Sequence, residues 1–149
     1  MRKDMGLYRG KRKDNGEWVE GYLTKNFFVH KEYWCIERIE ARAIYAHATE
    51  YGIKSYEVIP ETVGEYTGLP DKNGKKIFEG DIVKHYNNSD KGFDIGVLYW
   101  DETFSQWKRT SIGNFHHSSF TYSISRSCEY EVIGNIHDNP ELLPNTANC

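Results

Sequence analysis

The 149-residue chain is poor in cysteine, and this scarcity removes two common ways of stabilising a small protein. Its three cysteines, Cys35, Cys128 and Cys149, are widely spaced and form no C-x-x-C pair, so neither a disulfide framework nor a zinc site is expected. A reducing cytoplasm fits this pattern best. Cys35 lies in the apolar run 33–36 and is expected to be a small buried hydrophobic residue, with a reactive thiol as the alternative.

Long apolar runs are also absent. The longest runs have four residues, whereas about 18–20 are needed to cross a bilayer, and no apolar stretch follows the first basic residues. The sequence therefore predicts neither a membrane span nor a secretory signal. Methionine and proline are scarce at 2 and 4 residues, but Tyr, Phe and Trp make up 15% of the chain. We expect one globular domain over 1–149 whose packing depends on aromatic side chains.

The formal net charge of −3 conceals an uneven distribution. Residues 1–13 contain six basic residues against Asp4 alone, a local charge of +5, so the remaining chain carries −8. Clustered Arg and Lys favour phosphate binding. They also protect the edge of a hairpin from strand addition. We favour the second interpretation, because the basic segment is short and the acidic body repels a polyanion.

Alternating apolar residues and turn residues predict β-structure in the first third of the chain. Residues 7–12 and 18–23 are expected to pair around a turn at 13–17, since its Asn15-Gly16 pair is typical of a type I′ hairpin. Residues 26–30 supply a further strand. Residues 37–48 are ambiguous because they contain good helix formers without a clean 3.6-residue period. We predict a strand there, with a helix as the alternative.

The second half predicts short strands with glycine at the corners. Pro60 stops a strand at 55–59, and the expected strands that follow are residues 63–67, 76–78, 95–101, 107–112, 120–124 and 130–136. This pattern favours an SH3-like small barrel in the C-terminal half, over about 55–143, preceded by a hairpin region over about 1–54. One helical turn is expected near Pro140, capped by Asn139 and stopped by Pro144. The predicted fold class is mainly β, a β-rich α+β protein with bent sheets.

The sequence offers little catalytic chemistry. Its six histidines have no metal-binding spacing, and neighbours such as His116 and His117 point to opposite faces of a strand. There is no nucleophile elbow, P-loop or dinucleotide fingerprint. We therefore expect no metal, no cofactor and no enzyme activity. An acid–base enzyme using carboxylates is the lesser alternative, because spacing alone does not show two carboxylates sharing a pocket.

The candidate binding residues are basic and aromatic side chains near the N-terminus. If they face solvent together, they form a surface that stacks on single-stranded nucleic acid or anchors a protein partner. Core packing is the competing role for each aromatic residue. The candidate residues are Arg9, Lys11, Arg12, Lys13, Trp18 and Tyr22.

Four blocks together resemble the YopX family of small phage and prophage proteins. They are YRGKRKDNGEWVEGYL at 8–23, VIPETVGEYTGL at 58–69, DKNGKKIFEGDIV at 71–83 and YEVIGNIHDNPELL at 130–143. The resemblance runs from about residue 7 to 143, with 87–128 matching loosely. It implies a mostly β fold, a phage or prophage origin and a bacterial cytoplasmic setting. It also favours a strand at 43–50, and it supplies no catalytic residues.

These observations lead to a functional expectation. The leading hypothesis is a non-enzymatic accessory protein that binds a protein partner or itself as a homo-oligomer, away from membranes. The alternative is a nucleic-acid-binding module that uses the basic N-terminal hairpin. Glycines within the shared blocks are expected to serve turns and bulges. These structural glycines are Gly16, Gly68, Gly74, Gly80 and Gly134.

Overall fold

A computed structural model of the chain describes residues 6–45, 48–86, 92–110, 121–123 and 130–143. The chain is mainly β, as predicted, and its sheets are antiparallel. It divides into two compact units, Met1–Tyr66 and Thr67–Cys149. No helix in the described ranges is long and apolar enough to cross a membrane.

The first unit is an antiparallel sheet with strand order β4-β3-β2-β1-β5. Strand β5 crosses the boundary between the units, and its first residues pair with β1. The helix alternative for 37–48 is wrong, because residues up to Tyr45 belong to one long strand. The strands are β1 (Leu7–Lys11), β2 (Trp18–Phe28), β3 (Lys31–Tyr45), β4 (Ala48–Glu57) and β5 (Gly64–Pro70).

The predicted hairpin between β1 and β2 is present, but its turn is not type I′. The Arg12 N–H donates to the Glu17 carbonyl at 2.8 Å, and the Gly16 N–H donates to the Arg12 carbonyl at 2.9 Å. Of the two central residues only Gly16 has a positive φ, of 74°. The Asn15 side chain accepts the Glu17 N–H at 2.9 Å instead. The turn is therefore longer than two residues, and Asn15 stabilises it through its side chain.

The core of the first unit lies on one face of this sheet. Val19, Ile36 and Val58 are almost fully buried there, and the register places Leu23 opposite Ile36. Partly buried residues extend the cluster: Tyr8, Leu23, Trp34, Tyr56 and Val63. Cys35 is also buried, at 3% exposure, so its predicted burial is confirmed. Cys128 and Cys149 lie outside the described residues.

The second unit contains an open sheet with strand order β10-β9-β8-β7-β11. The predicted SH3-like barrel is not closed, because β10 and β11 are opposite edges and do not pair within the described ranges. A barrel requires its first and last strands to be hydrogen-bonded. Strand β6 (Lys76–Phe78) is hydrogen-bonded to β5 and is not part of this sheet. The strands of the open sheet are β7 (Asp81–Tyr86), β8 (Phe93–Asp101), β9 (Gln106–Thr110), β10 (Thr121–Ser123) and β11 (Tyr130–Asn135). The predicted strand ends at 111–112, 120 and 124 lie outside the described residues.

A compact apolar cluster and a buried carboxylate hold the second unit together. Ile77, Val83, Leu98 and Tyr130 form the cluster. Asp81 is fully buried, and its Oδ2 accepts the Phe78 N–H at 2.8 Å across the turn that joins β6 to β7. Gly80 in this turn has a φ of 84°, a backbone conformation that favours glycine.

The C-terminal helical turn is present as a 3₁₀ turn at Pro140–Leu142. The predicted capping by Asn139 is wrong, because its side chain makes no capping hydrogen bond. Its Oδ1 accepts the Asn135 N–H at 3.2 Å instead. Gly134 lies at a register shift in β11, and a Cβ there would crowd the Asn139 side chain. Pro144 lies outside the described residues.

A second buried carboxylate organises the turn before β6. Asp71 is 5% exposed; its Oδ1 accepts the N–H groups of Asn73 and Lys75 at 2.8 and 2.9 Å, and its Oδ2 accepts the Val132 N–H at 3.0 Å. Burial by itself would raise the pKa of Asp71, but the three N–H donors outweigh it and lower the pKa below its ordinary value. This single side chain therefore joins the turn to β11.

Gly80→Val should lower the free energy of unfolding by about 1–3 kcal/mol, because a β-branched residue is strained at positive φ. Steric crowding does not cause this loss, since an added Cβ would lie 3.5 Å from the Ile136 side chain, an ordinary van der Waals distance. Gly80→Asn should lower the free energy of unfolding by less, because asparagine tolerates this backbone conformation. Thermal unfolding followed by circular dichroism measures both variants. Equal melting temperatures for wild type and Gly80→Val would contradict the assigned turn.

Asp71→Asn should lower the free energy of unfolding at pH 7 by about 1–3 kcal/mol, because buried N–H donors lose their acceptor. A lowered folded pKa stabilises the protein above the unfolded carboxyl pKa of about 3.9, and the stabilisation is lost as pH falls through the folded value. Urea unfolding at pH 7, 5 and 3 should therefore show that the difference in free energy of unfolding between wild type and Asp71→Asn shrinks below pH 4. Glu61→Gln, at an exposed position, is the control. A difference independent of pH would count against this role.

Candidate functional site

The two central strands of the first unit separate partway along their length. Pairing between β2 and β3 extends from Phe28 opposite Lys31 to Tyr22 opposite Glu37. Beyond that point β2 pairs with β1, whereas β3 continues beside β4. Gly21 lies where the strands separate, and a Cβ there would collide with the Glu37 carbonyl oxygen. Glycine thus permits the close backbone approach from which the two strands diverge.

A groove of about 490 Å³ occupies the space between the diverging strands. An adjoining cavity of about 190 Å³ extends it to Ile53 on β4. Three large side chains at this site face solvent: Tyr22 is 61% exposed, Ile39 67% and Ile53 73%. We call this site the outer groove, defined by Leu7, Trp18, Glu20, Gly21, Tyr22, Glu37, Arg38, Ile39 and Ile53.

Strands β3 and β4 continue past the fork as a two-stranded ribbon, residues 38–45 paired with 48–54. The register places Ile39 opposite Ile53 and Ala41 opposite Tyr51 on the groove face. Arg38 and Lys54 pair on the other face. One face of the ribbon is therefore apolar and exposed, and Tyr51 is 71% exposed on it. A two-stranded hairpin is marginally stable by itself in water.

Four of the sequence-predicted binding residues meet beside the groove. Arg9 and Lys11 of β1 lie over the Trp18 ring, with Arg9 Cζ 4.6 Å and Lys11 Nζ 5.6 Å from its centroid. Arg9 is only 8% exposed, so its guanidinium packs on the sheet and presents little surface to a ligand. Tyr22 is exposed on the same face. The outer face of β1 and β2 thus combines two cations with two aromatic rings.

The other two predicted residues, Arg12 and Lys13, are placed elsewhere. Arg12 Nη2 lies 2.6 Å from Asp14 Oδ2, and its guanidinium stacks on Tyr56 at 4.5 Å. The hydrogen bond between Arg12 and Asp14 raises the pKa of Arg12 and lowers the pKa of Asp14. Lys13 Nζ lies 2.9 Å from Glu57 Oε1. The basic segment identified in the sequence is therefore divided, and two of its six basic residues pair with carboxylates of the same unit.

Acidic residues line the groove where a nucleic-acid surface would carry positive charge. Glu20 is exposed on one wall, and Glu37 is partly buried on the other. Carboxylates repel phosphate and attract basic side chains. Arg38 also lines the groove, and its Nε lies 3.3 Å from Glu40 Oε1. The groove therefore combines apolar side chains with two carboxylates and one guanidinium that is paired within the chain.

The most exposed groove residues escaped sequence analysis. Ile39 and Ile53 lie in the segments whose secondary structure was ambiguous or only partly assigned, and Glu37 appeared only as the start of that ambiguous region. A signal was present: Ile39, Ala41 and Ala43 alternate with charged residues in a period of two. Such alternation indicates an amphipathic strand. It does not indicate that the apolar face is left uncovered.

Charged clusters in the second unit are paired within the chain. Glu131 accepts a hydrogen bond from the Tyr86 hydroxyl at 2.8 Å and lies 3.3 Å from Lys72 Nζ, and both contacts lower its pKa. Lys108 Nζ lies 2.6 Å from Asp101 Oδ2 and lowers the pKa of that carboxyl. In the part of the chain that the structure describes, no group of three or more His, Cys, Asp or Glu side chains is arranged to hold a metal ion.

The chain belongs to the YopX protein family, whose model matches residues 7–144. The fold is similar to that of protein EF1440 from Enterococcus faecalis, known from its crystal structure. The similarity has a TM-score of 0.51 and 22% sequence identity, and it covers 92% of this chain and 96% of the other. At this identity the likeness concerns the fold alone. No curated protein matches the chain in sequence.

A double-mutant cycle on Arg9→Met and Trp18→Leu should give a coupling energy of about 0.5–2 kcal/mol, because a partly desolvated cation over an indole ring is stabilising. Urea unfolding of wild type, both single variants and the double variant measures it. The matched cycle on Lys13→Met and Glu57→Gln should give less than about 1 kcal/mol, since that pair is exposed. Additive effects of Arg9 and Trp18 would mean that the stacking contributes nothing to stability.

Proposed function

We propose that the chain is a non-enzymatic binding module of a phage or prophage that acts in the bacterial cytoplasm through protein contacts. The observation that carries this proposal is the outer groove, where Tyr22, Ile39 and Ile53 are each more than 60% exposed around one concave site. Contiguous exposed apolar surface with a polar rim is typical of protein interaction sites. The family resemblance supports the phage and cytoplasmic setting.

The groove chemistry favours an extended partner segment with apolar and basic side chains. Apolar residues of such a segment would fill the space between Tyr22 and Ile39, and its Lys or Arg would lie near Glu20 and Glu37.

Nucleic-acid binding is the second candidate, and Lys11 and Trp18 are the residues that favour it. Aromatic rings beside cations are typical of single-strand binding sites. Against it, Arg9 is buried, Lys13 pairs with Glu57, and the adjoining groove is lined by carboxylates. We therefore favour a protein as the partner.

Ile39→Asp tests the proposed groove. Tagged wild type, Ile39→Asp and Phe104→Asp are compared for the proteins that they retain from nuclease-treated bacterial lysate. Phe104 is the matched control, because it is also 67% exposed but lies in the second unit. We expect bound proteins retained equally by wild type and Phe104→Asp, and reduced at least about tenfold with Ile39→Asp, since a charge in an apolar contact costs more than 1.4 kcal/mol.

Equal retention by all three proteins would refute a role for the groove. Fluorescence anisotropy with single- and double-stranded oligonucleotides at low and moderate salt tests the second candidate. Salt-sensitive binding at micromolar protein that is lost in Lys11→Ala would replace the protein-binding proposal with a nucleic-acid-binding one. Circular dichroism of each variant checks that the fold is kept.

A further inference from the structure

Strand β4 is a long edge that nothing in the described chain covers. It pairs with β3 on one side, and no described strand lies on the other. Residues 51–55 are all exposed, and the strand contains no proline. Natural proteins protect exposed edges with short strands, prolines, bulges or inward-pointing charges. An edge of ten residues with Tyr51 and Ile53 more than 70% exposed is instead suited to pairing with another strand.

Neither the backbone conformation nor the packing of the described residues requires a glycine at position 52, in the middle of this edge. Gly52 is not at a positive φ, and an added Cβ would meet no atom within 4 Å. Glycine weakens a strand interior, and it often marks a place where another backbone approaches closely. The position of Gly52 therefore indicates a contact made by a second molecule.

The sequence around Gly52 is complementary to itself. In an antiparallel pairing of two β4 strands centred on Gly52, Tyr51 of each copy lies opposite Ile53 of the other. The same register sets Glu50 opposite Lys54, so positions of opposite charge face each other twice. Aromatic to β-branched pairs and opposite-charge pairs both stabilise antiparallel strands. Centring the pairing on Tyr51 or on Ile53 removes the charge match.

We propose that β4 pairs with β4 of a second copy around a two-fold axis at Gly52. This inference rests on the proposed function and names one partner as a second copy of the chain. The pairing joins the two sheets and places Tyr51 and Ile53 of both copies on the groove face. Lys54 lies on the opposite face, whereas Ile53, at the β4 end of the outer groove, lies opposite Tyr51 of the second copy. An interface of one strand pair is small, and we expect micromolar dissociation.

Charge reversal tests the register. Lys54→Glu places like charges opposite each other twice, and so does Glu50→Lys, so each variant should be monomeric where wild type is dimeric. Mixing the two single variants restores both opposite-charge pairs, and the mixture should dimerise. The double variant carrying both changes should dimerise by itself. Sedimentation velocity at about 1–200 µM distinguishes the monomer from the dimer, which has twice the chain mass of 17.4 kDa.

Controls separate folding and groove binding from dimerisation. Lys54 Nζ is 3.8 Å from Glu40 and exposed, so Lys54→Glu should keep its fold by circular dichroism. Lys31→Glu, an exposed lysine at the other end of β3, should leave the dimer intact. A wild type that is monomeric up to 200 µM would overturn the inference. A dimer unaffected by either charge reversal would also overturn it. Either result leaves the outer groove testable through Ile39→Asp, because that residue is not on the β4 edge.

Discussion

The divergence of β2 from β3 at Gly21 is the constraint on which the first unit depends. Hydrogen bonding holds β3 to β2 up to Glu37, and the missing side chain at Gly21 lets the two backbones approach closely there. Past this point β2 pairs with β1, and β3 pairs with β4. One fork in the strand pairing thus creates both the outer groove and the projecting ribbon.

The two faces of this sheet differ in how far their side chains are buried. One face buries Val19, Ile36 and Val58 and supplies the hydrophobic stabilisation of the unit. The other presents the stacked Arg9 and Trp18, then the exposed Tyr22 and Ile39. Apolar side chains left in water on the second face contribute little to the stability of the isolated unit, and their burial becomes favourable once a partner covers them. The proposed docking site and the proposed dimer both follow from this incomplete burial.

Local signals predicted the fold class and most strands. Asn-Gly marked the first hairpin, Pro60 marked the end of a strand, and Gly80 fell at a turn with positive φ. The closure of the barrel was not predictable for a physical reason: glycine-rich corners show where a sheet bends, but they do not show which edge strands meet. The capping role of Asn139 failed similarly, because a side-chain oxygen accepts whichever N–H the tertiary fold brings near, and here that is Asn135.

The candidate site was also predictable only in part from the sequence. The sequence by itself determined that the chain is mainly β, that its N-terminus carries basic and aromatic residues, and that Ile39 alternates with charged neighbours. Only the tertiary structure decided that Lys13 pairs with Glu57, that Arg9 is buried against Trp18, and that Ile39 and Ile53 face solvent together. Periodicity shows which residues share a face of a strand. Whether that face is covered depends on contacts between strands far apart in sequence, and these arise only when the chain folds.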